Sequence, residues 1–230
     1  MLVSFTSIGQ ELTGEELLER AIAFHDPGDH WSSFKGKMLI EMESPKSSPR
    51  STIVEMNLPS NFFKTTVKKD TYTIESELDK GECTLKLNGS TSIFPKVKDS
   101  LNITCERAKM MKDYYTYLYG LPMKLKDPGT IIEPKVKRKT FKGKEYLVLK
   151  AGYDKEVGND TWYFYFDPKT YALEIYQFFH DESKNDGEYI LLSEMITVND
   201  IKIPKVRAWY YNEGDKYLAT DNLREATPLE

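Results

Sequence analysis

The stretch TWYFYFDPKTYALEIYQFF, residues 161–179, decides the fold class of this chain. It contains two runs rich in aromatic and aliphatic residues, 161–167 and 173–180, and such runs are typical of β-strands. The connection DPKT at 167–170 suits a type I turn, in which proline at the second position already has the required φ angle. The stretch therefore predicts an antiparallel β-hairpin.

The first of these two strands carries large aromatic side chains on both faces. Because successive side chains of a strand point to opposite sides, Trp162, Phe164 and Phe166 share one face. Tyr163 and Tyr165 share the other face, and the tyrosine hydroxyl group can reach water from a partly buried ring. We therefore predict that the first face packs against helices and that the two tyrosines are half exposed.

Strand-like sequence continues through most of the chain. Turn signals such as NDG at 185–187 and ND at 199–200 separate the runs and suit tight hairpins. The other runs with a period of two lie at 34–43, 52–57, 62–68, 72–78, 83–87, 130–141, 146–153, 189–198 and 201–212. No fixed-period repeat or linker interrupts them, so we expect one domain over residues 11–227. The pattern predicts a mainly β fold with some α, in which a single large curved antiparallel sheet wraps around two helices.

The two predicted helices have different signals. TGEE at 13–16 is a capping-box pattern, and apolar residues follow at helical spacing until Pro27 and Gly28 stop the helix. The second helix is predicted over residues 103–119. Its apolar stripe, with the spacing i, i+3, i+4, i+7, consists of Met110, Met111, Tyr114, Tyr115 and Leu118.

The stripe on the second helix has two interpretations. Methionine and tyrosine at this spacing are most often ordinary core residues, but methionine also adapts to varied apolar partners. Two helices do not fill the hollow of a strongly curled sheet to the density of a protein interior. We therefore predict that the stripe faces the concave side of the sheet and lines an apolar pocket.

The composition argues against several partners. Acidic residues outnumber basic ones by 36 to 32, which gives a net charge of −4. A nucleic-acid partner would require a basic face, and an acidic membrane surface is disfavoured for the same reason. The apolar runs are shorter than the roughly 20 residues that a spanning helix needs, so no transmembrane segment is expected.

Both ends of the chain differ from the rest. Residues 1–10 are uncharged and small or apolar, as at the end of an export signal, although an ordinary N-terminal segment would look similar. We predict that they are a signal remnant, that the mature chain begins near Gln10 or Glu11, and that the protein is periplasmic or secreted. Residues 228–230 have the look of a cloning scar.

The two cysteines, Cys83 and Cys105, match no zinc or redox spacing. In an exported protein they could form a disulfide, whereas two buried thiols would behave as small apolar side chains. Their positions predict that they lie on neighbouring elements, with Cys105 just inside the second helix.

Common catalytic motifs are absent from the sequence, including the serine nucleophile elbow, the zinc-protease helix and the phosphate-binding loop. The densest polar group is His25, Asp26, Asp29 and His30, followed by Trp31. These residue types could bind a metal or perform acid–base chemistry. The alternative, which we favour, is that His25 and Asp26 end the first helix and hydrogen-bond the next loop, while Trp31 closes the core edge. We predict no metal and no cofactor.

Several motifs together resemble a family of uncharacterised exported proteins of Gram-negative bacteria, to which no activity is attached. They are AFHDP at 23–27, YLYGLPMKL at 117–125, GNDTW at 158–162, YFDP at 165–168, GEYI at 187–190 and IPKVRAWY at 203–210. More distantly, the order of elements resembles the LolA-type lipoprotein-carrier superfamily. That resemblance implies a half-open β-barrel, closed over helices, around an apolar cavity for acyl chains.

These observations favour a monomeric periplasmic binding or carrier protein whose partner is a lipophilic small molecule or the acyl chains of a lipoprotein. The predicted ligand-binding residues are Met110, Met111, Tyr114, Tyr115, Leu118, Trp162, Phe164 and Phe166. Two alternatives stay open at this point. One is a hydrolase that uses His25, Asp26 and His30, and the other is a structural envelope protein without a ligand.

Overall fold

The computed structural model describes residues 12–229 and contains one large antiparallel β-sheet. Its strands are β1 (Lys35–Ser44), β2 (Ser47–Asn57), β3 (Phe62–Lys69), β4 (Tyr72–Asp79), β5 (Glu82–Leu87), β6 (Thr130–Ile132), β7 (Lys137–Phe141), β8 (Lys144–Tyr153), β9 (Thr161–Phe166), β10 (Leu173–Phe179), β11 (Glu188–Val198), β12 (Ile201–Tyr211) and β13 (Tyr217–Pro228). The hydrogen-bonded order is β5-β4-β3-β2-β1-β13-β12-β11-β10-β9-β8-β6, with β7 paired to the other end of β8. Because β5 and β6 do not pair within the described residues, the sheet is a half-open barrel. The predicted signal remnant, residues 1–10, lies outside the described residues.

The described part of the chain also contains the helices α1 (Gly14–His25), α2 (Pro95–Ser100) and α3 (Cys105–Gly120). The predicted capping box starts α1: the Thr13 N–H donates to Glu16 Oε2 over 2.8 Å, and the Glu16 N–H donates to Thr13 Oγ1 over 3.2 Å. No helix among residues 12–229 is long and apolar enough to span a membrane. The short α2 was not predicted, because six residues without a buried side chain show no apolar period.

The main core lies between the sheet and the two longer helices. Leu17 of α1, Tyr115 of α3 and Phe164 of β9 all belong to one continuous cluster of buried apolar residues. Leu17 and Phe164 are fully buried, as the predicted helical and strand periods require. This arrangement confirms the predicted fold class: a curved antiparallel sheet wraps around the helices.

The predicted aromatic hairpin is confirmed, with one correction. Phe164 and Phe166 belong to the main core, and Trp162 packs against it from a partly buried position. Tyr163 and Tyr165 lie on the opposite face, as the alternation predicted, but they are only 7% and 2% exposed. The prediction that these tyrosines are half exposed was therefore wrong.

A second, smaller cluster on the convex face explains the burial of these tyrosines. Phe141 from β7 reaches over the sheet, and its ring centroid lies 5.5 Å from that of Tyr165. The hydroxyl groups are still satisfied, because Tyr163 donates to Glu182 Oε1 over 2.5 Å and Tyr165 donates to Gln177 Oε1 over 2.6 Å. Neighbouring polar side chains thus replace the water that we expected.

Two parts of the sheet differ from the sequence-based expectation: one predicted strand is divided, and one strand was not predicted. The predicted strand 130–141 is divided into β6 and β7, with Pro134 in the gap, because proline has no N–H to donate to a sheet ladder. The strand β13 was not predicted, although it lies at the centre of the sheet between β1 and β12. Its sequence, YLATDNLREATP, is mostly polar and lacks an alternating apolar pattern. Its last residue, Pro228, pairs with Gly36 of β1.

Cys83 and Cys105 form a disulfide, and their Cα atoms are 6.0 Å apart. Cys83 lies on the edge strand β5, and Cys105 is the first residue of α3. The predicted proximity of the two cysteines is confirmed. The bond fixes the start of α3 above one edge of the sheet.

Candidate ligand-binding cleft

A cleft lies between α3 and the concave face of β2, β3 and β4. Its volume is about 240 Å³, and α3 contributes Ala108, Met111 and Tyr115 to its wall. Depressions of about 320 to 480 Å³ also occur, but they are wide open to solvent and lined largely by charged and polar residues. One of them adjoins the cleft at Arg50 and Lys69 and is also lined by acidic residues. The cleft under α3 is therefore the described depression best suited to an apolar group.

Small side chains on three neighbouring strands leave room for this cleft. Thr52 on β2 is paired with Val67 on β3, and Val67 is paired with Ile74 on β4. One step deeper, Thr65 on β3 is paired with Ser76 on β4. Because side chains alternate along each strand, all five point to the concave face and line the cleft. None of these five side chains is aromatic, and Tyr72 of β4 adds an aromatic ring to the cleft wall.

Deeper in the molecule the same strand faces carry larger or fully buried residues. Val54 follows Thr52 along β2 and Phe63 precedes Thr65 on β3, and both belong to the main core. The Phe63 ring centroid lies 6.3 Å from that of Tyr115. These contacts close the inner end of the cleft.

The cleft has a cationic side. Arg50, Lys69 and Arg107 line it, whereas no aspartate or glutamate does. Arg50 is the fourth residue of β2, Lys69 is the last residue of the neighbouring strand β3, and Arg107 lies in the first turn of α3. Burial raises the pKa of Tyr115, and the positive charge of Arg50 acts against this rise. Tyr115 therefore presents a neutral phenol beside positively charged groups.

The structure separates the predicted ligand-binding residues into two groups. Met111 and Tyr115 line the cleft. The others, Met110 excepted, pack in or against the filled main core: Tyr114, Leu118, Trp162, Phe164 and Phe166. Tyr114, for example, stacks on Trp209 with 6.3 Å between ring centroids. Only the first group is positioned to contact a ligand in this cleft as it stands.

Met110 departs from the predicted stripe. It was expected to face the sheet, but 48% of its surface is exposed. Successive residues of an α-helix are about 100° apart, and the buried face of α3 is centred near Ala108 and Tyr115. Met110 lies about 140–160° from these two residues around the helix axis, whereas Met111 lies about 40–60° from them. The spacing rule included Met110 because it also neighbours Tyr114.

Comparison with protein-family models places nearly the whole chain in one family. A family of unknown function (DUF6503) matches residues 1–226. The chain belongs to this family. This confirms the resemblance to an uncharacterised family that the sequence motifs indicated. A comparison of the DUF6503 chain with curated proteins found no match.

The DUF6503 chain is similar in structure to three solved proteins at low sequence identity. A LolA superfamily protein from Nitrosomonas europaea has a TM-score of 0.56 and 8% identity, covering 95% of this chain and 94% of that chain. A putative outer membrane lipoprotein-sorting protein domain from Vibrio parahaemolyticus has a TM-score of 0.54 and 12% identity, covering 93% and 91%. A DUF1329 family protein from Desulfovibrio piger has a TM-score of 0.50 and 6% identity, covering 95% and 94%. These likenesses show a shared fold and confirm the predicted LolA-type architecture.

Sequence reasoning missed the polar side of the cleft in the DUF6503 chain. Arg50 and Lys69 lie just outside the predicted strands 52–57 and 62–68. Extending each strand outward by one or two residues would have placed both on the concave face, in phase with Thr52 and Val67. A cation just beyond a predicted strand, on the same face as its buried residues, could therefore have indicated the polar side of the cleft.

A buried arginine behind the cleft also escaped notice. Arg207 on β12 is only 1% exposed. It donates from Nη1 to the Pro204 carbonyl over 2.9 Å and from Nη2 to the Leu118 carbonyl over 3.4 Å. Its guanidinium carbon lies 3.8 Å from the ring centroid of Tyr119. A cation at the carbonyl end of α3 is electrostatically favourable, so Arg207 holds this helix end on the sheet.

The histidine cluster of the DUF6503 chain has a structural role. His25 is fully buried, and both ring nitrogens are engaged: Nδ1 bonds the Lys202 carbonyl at 2.7 Å, and Nε2 accepts from the Leu173 N–H over 2.9 Å. Asp26 accepts from the N–H groups of His30 and Trp31, each over 2.8 Å. Burial lowers the pKa of His25 to about 4. The Asp26 contacts agree with the helix-ending alternative, but His25 bonds the strands β10 and β12 and not the next loop, so that part of the prediction was wrong. His25 has no free ring nitrogen for a metal or substrate. No cluster of metal-ligating side chains occurs among residues 12–229.

Proposed function

We propose that this DUF6503 chain is a monomeric binding or carrier protein of the cell envelope, and that it holds a lipophilic ligand such as an acyl chain in the cleft under α3. The observation that carries the proposal is the cleft itself, with Val67, Ile74 and Met111 on its walls and open access from solvent. The likeness to a LolA superfamily protein and to a putative outer membrane lipoprotein-sorting domain supports the same class of ligand.

The energetics of the cleft suit an unbranched apolar chain. Each methylene group that leaves water contributes about 0.8 kcal/mol, which corresponds to about a fourfold gain in affinity. No catalytic group is needed for this. Because association itself has an entropic cost, we expect several buried methylenes to give affinities in the micromolar range.

Two further observations support a location outside the cytoplasm. Disulfides persist mainly in oxidising compartments, and the Cys83–Cys105 bond closes the edge of the sheet next to the cleft. The second is the resemblance of residues 1–10 to the end of an export signal. N-terminal sequencing of the product of the full natural gene, recovered from the envelope fraction, tests the location. An uncleaved product in the cytosol would contradict it.

Two neighbouring methionines provide a matched test of the cleft. Met111 lines the cleft, whereas Met110, on the same helix, faces solvent. We expect Met111→Glu to weaken binding of a fluorescent fatty acid by at least about tenfold, because it replaces an apolar wall of the cleft with a charged group and repels the carboxylate of the ligand. Met110→Glu adds the same charge outside the cleft and should change the affinity less than about twofold.

The control measurement is the circular dichroism spectrum, which should be the same for both variants and the wild type. Equal fluorescent fatty-acid affinities of the two variants would place the ligand elsewhere. If the wild type binds no lipophile at high micromolar concentration, the carrier proposal fails, and a structural role in the envelope replaces it.

A further inference from the structure

We infer that the ligand of this cleft is an anionic amphiphile, with an apolar chain under α3 and a carboxylate or phosphate head group held by Arg50, Lys69 and Arg107. This inference rests on the proposed lipophile-binding function and names the chemical class of the ligand. Three positive side chains and no carboxylate line the cleft, in a chain whose acidic residues outnumber its basic ones by 36 to 32. The cleft therefore has the opposite charge to the protein as a whole.

Cations on the two faces of these strands differ in whether they form ion pairs with carboxylates. On the convex face Lys37 pairs with Glu55 at 3.5 Å, and Lys64 pairs with Glu77 at 3.0 Å. On the concave face, none of the three cleft cations has a carboxylate oxygen within 4.0 Å among residues 12–229. Protein carboxylates thus pair directly with the lysines outside the barrel, whereas none contacts the cleft cations. Arg50 does interact over a longer distance with the partly buried Asp221, because its positive charge acts against the burial that raises the pKa of Asp221.

Arg50 in particular has an unused donor. Its Nε is buried and has no hydrogen-bond partner within the described part of the chain. A buried donor without an acceptor is destabilising, because the group has lost its hydrogen bonds to water. An anionic oxygen bound in the cleft would satisfy it, and guanidinium groups bind carboxylate and phosphate oxygens with matched geometry.

The order of side chains along β3 fixes the orientation of such a ligand. From the end of the strand inward, the concave face carries Lys69, Val67, Thr65 and then Phe63 of the filled core. Thr52 and Thr65 are only 2% and 5% exposed, so water is largely excluded at that depth. The head group therefore lies at the cationic outer end, and the chain points inward between the sheet and α3.

The test compares amphiphiles that share one chain and differ in their head group. Isothermal titration calorimetry with dodecanoate, dodecyl phosphate and dodecanol at low salt measures the preference. We expect at least one of the two anions to bind about tenfold or more tightly than dodecanol, and we expect this preference to shrink as salt is added. The tighter of the two anions identifies the head group.

Matched variants locate the preference. The double variant Arg50→Gln/Arg107→Gln should reduce the preference for the anion to less than about threefold by weakening anion binding much more than dodecanol binding. Dodecanol binding that persists in this variant shows that the cleft is intact. Lys68→Gln/Lys109→Gln removes the same charge from exposed neighbours that do not line the cleft, and it should retain the preference.

The possible failures are distinguishable. Equal binding of dodecanoate, dodecyl phosphate and dodecanol to the wild type would overturn the anionic class but leave the carrier proposal standing. A preference that survives in Arg50→Gln/Arg107→Gln would overturn the assignment of the head-group site. Binding of none of the three would overturn the proposed function itself.

Discussion

Lowering the pH from 7 to 4 should destabilise the protein through His25. The folded state keeps this imidazole neutral, because burial lowers its pKa from 6.5 to about 4. Between these two values the unfolded chain binds a proton at His25 and the folded chain does not, so the free energy of unfolding falls as the pH decreases. The contribution lost is about 2 kcal/mol at pH 5 and about 3 kcal/mol at pH 4.

Other groups titrate in the same range, so the assay needs a variant that isolates His25. His25→Gln retains one donor for the Lys202 carbonyl and one acceptor for the Leu173 N–H, but it cannot take up a proton. Urea unfolding at pH 7, 6 and 5 gives the free energy of unfolding for both proteins by linear extrapolation. We expect the wild type to lose about 2 kcal/mol more than the variant between pH 7 and pH 5. Parallel pH profiles would refute the buried, neutral state of His25.

Two further stability predictions concern the attachment of α3. Arg207→Ala should lower the free energy of unfolding by about 3 kcal/mol, since it leaves a cavity and removes the donor to the Leu118 carbonyl. Lys205→Ala, at a partly exposed position of the same strand, should change it by less than about 0.5 kcal/mol in urea titrations. A change of similar size in both variants would contradict the special role of Arg207. Cys83→Ser/Cys105→Ser should lower the free energy of unfolding by about 3 kcal/mol, which is the loop-closure value for the sequence separation of 22. The wild type in reductant should show the same loss. If reductant leaves the stability of the wild type unchanged, the disulfide has no structural role.

The elements that could be predicted are those whose pattern is local. The capping box at Thr13 and the aromatic alternation from Trp162 to Phe166 each depend on a few consecutive residues, and both are confirmed. The central strand β13 lacks such a pattern. Its concave face includes Asp221, which accepts a hydrogen bond from Trp209 Nε1 over 3.1 Å, so distant partners stabilise a strand whose own sequence is polar.

The cleft could be predicted only in part, because its walls come from distant parts of the chain. The apolar period of α3 indicated Met111 and Tyr115, but a period alone could not separate Met111 from the exposed Met110. Which strands lie under α3 depends on sheet order and on the Cys83–Cys105 bond, neither of which a local pattern encodes. For that reason Phe164 and Phe166 were assigned to the site, although they fill the core beyond it.

The most direct test of the account is the dependence of affinity on chain length. Calorimetric titration with alkanoates of increasing length should show the affinity rising by up to about fourfold for each added methylene, until the cleft is full and the increase stops. With the Met111→Glu variant, the affinity should rise much less for each added methylene of the same alkanoates. An affinity that does not depend on chain length, or no binding at any length, would contradict the claim that this cleft holds an apolar chain.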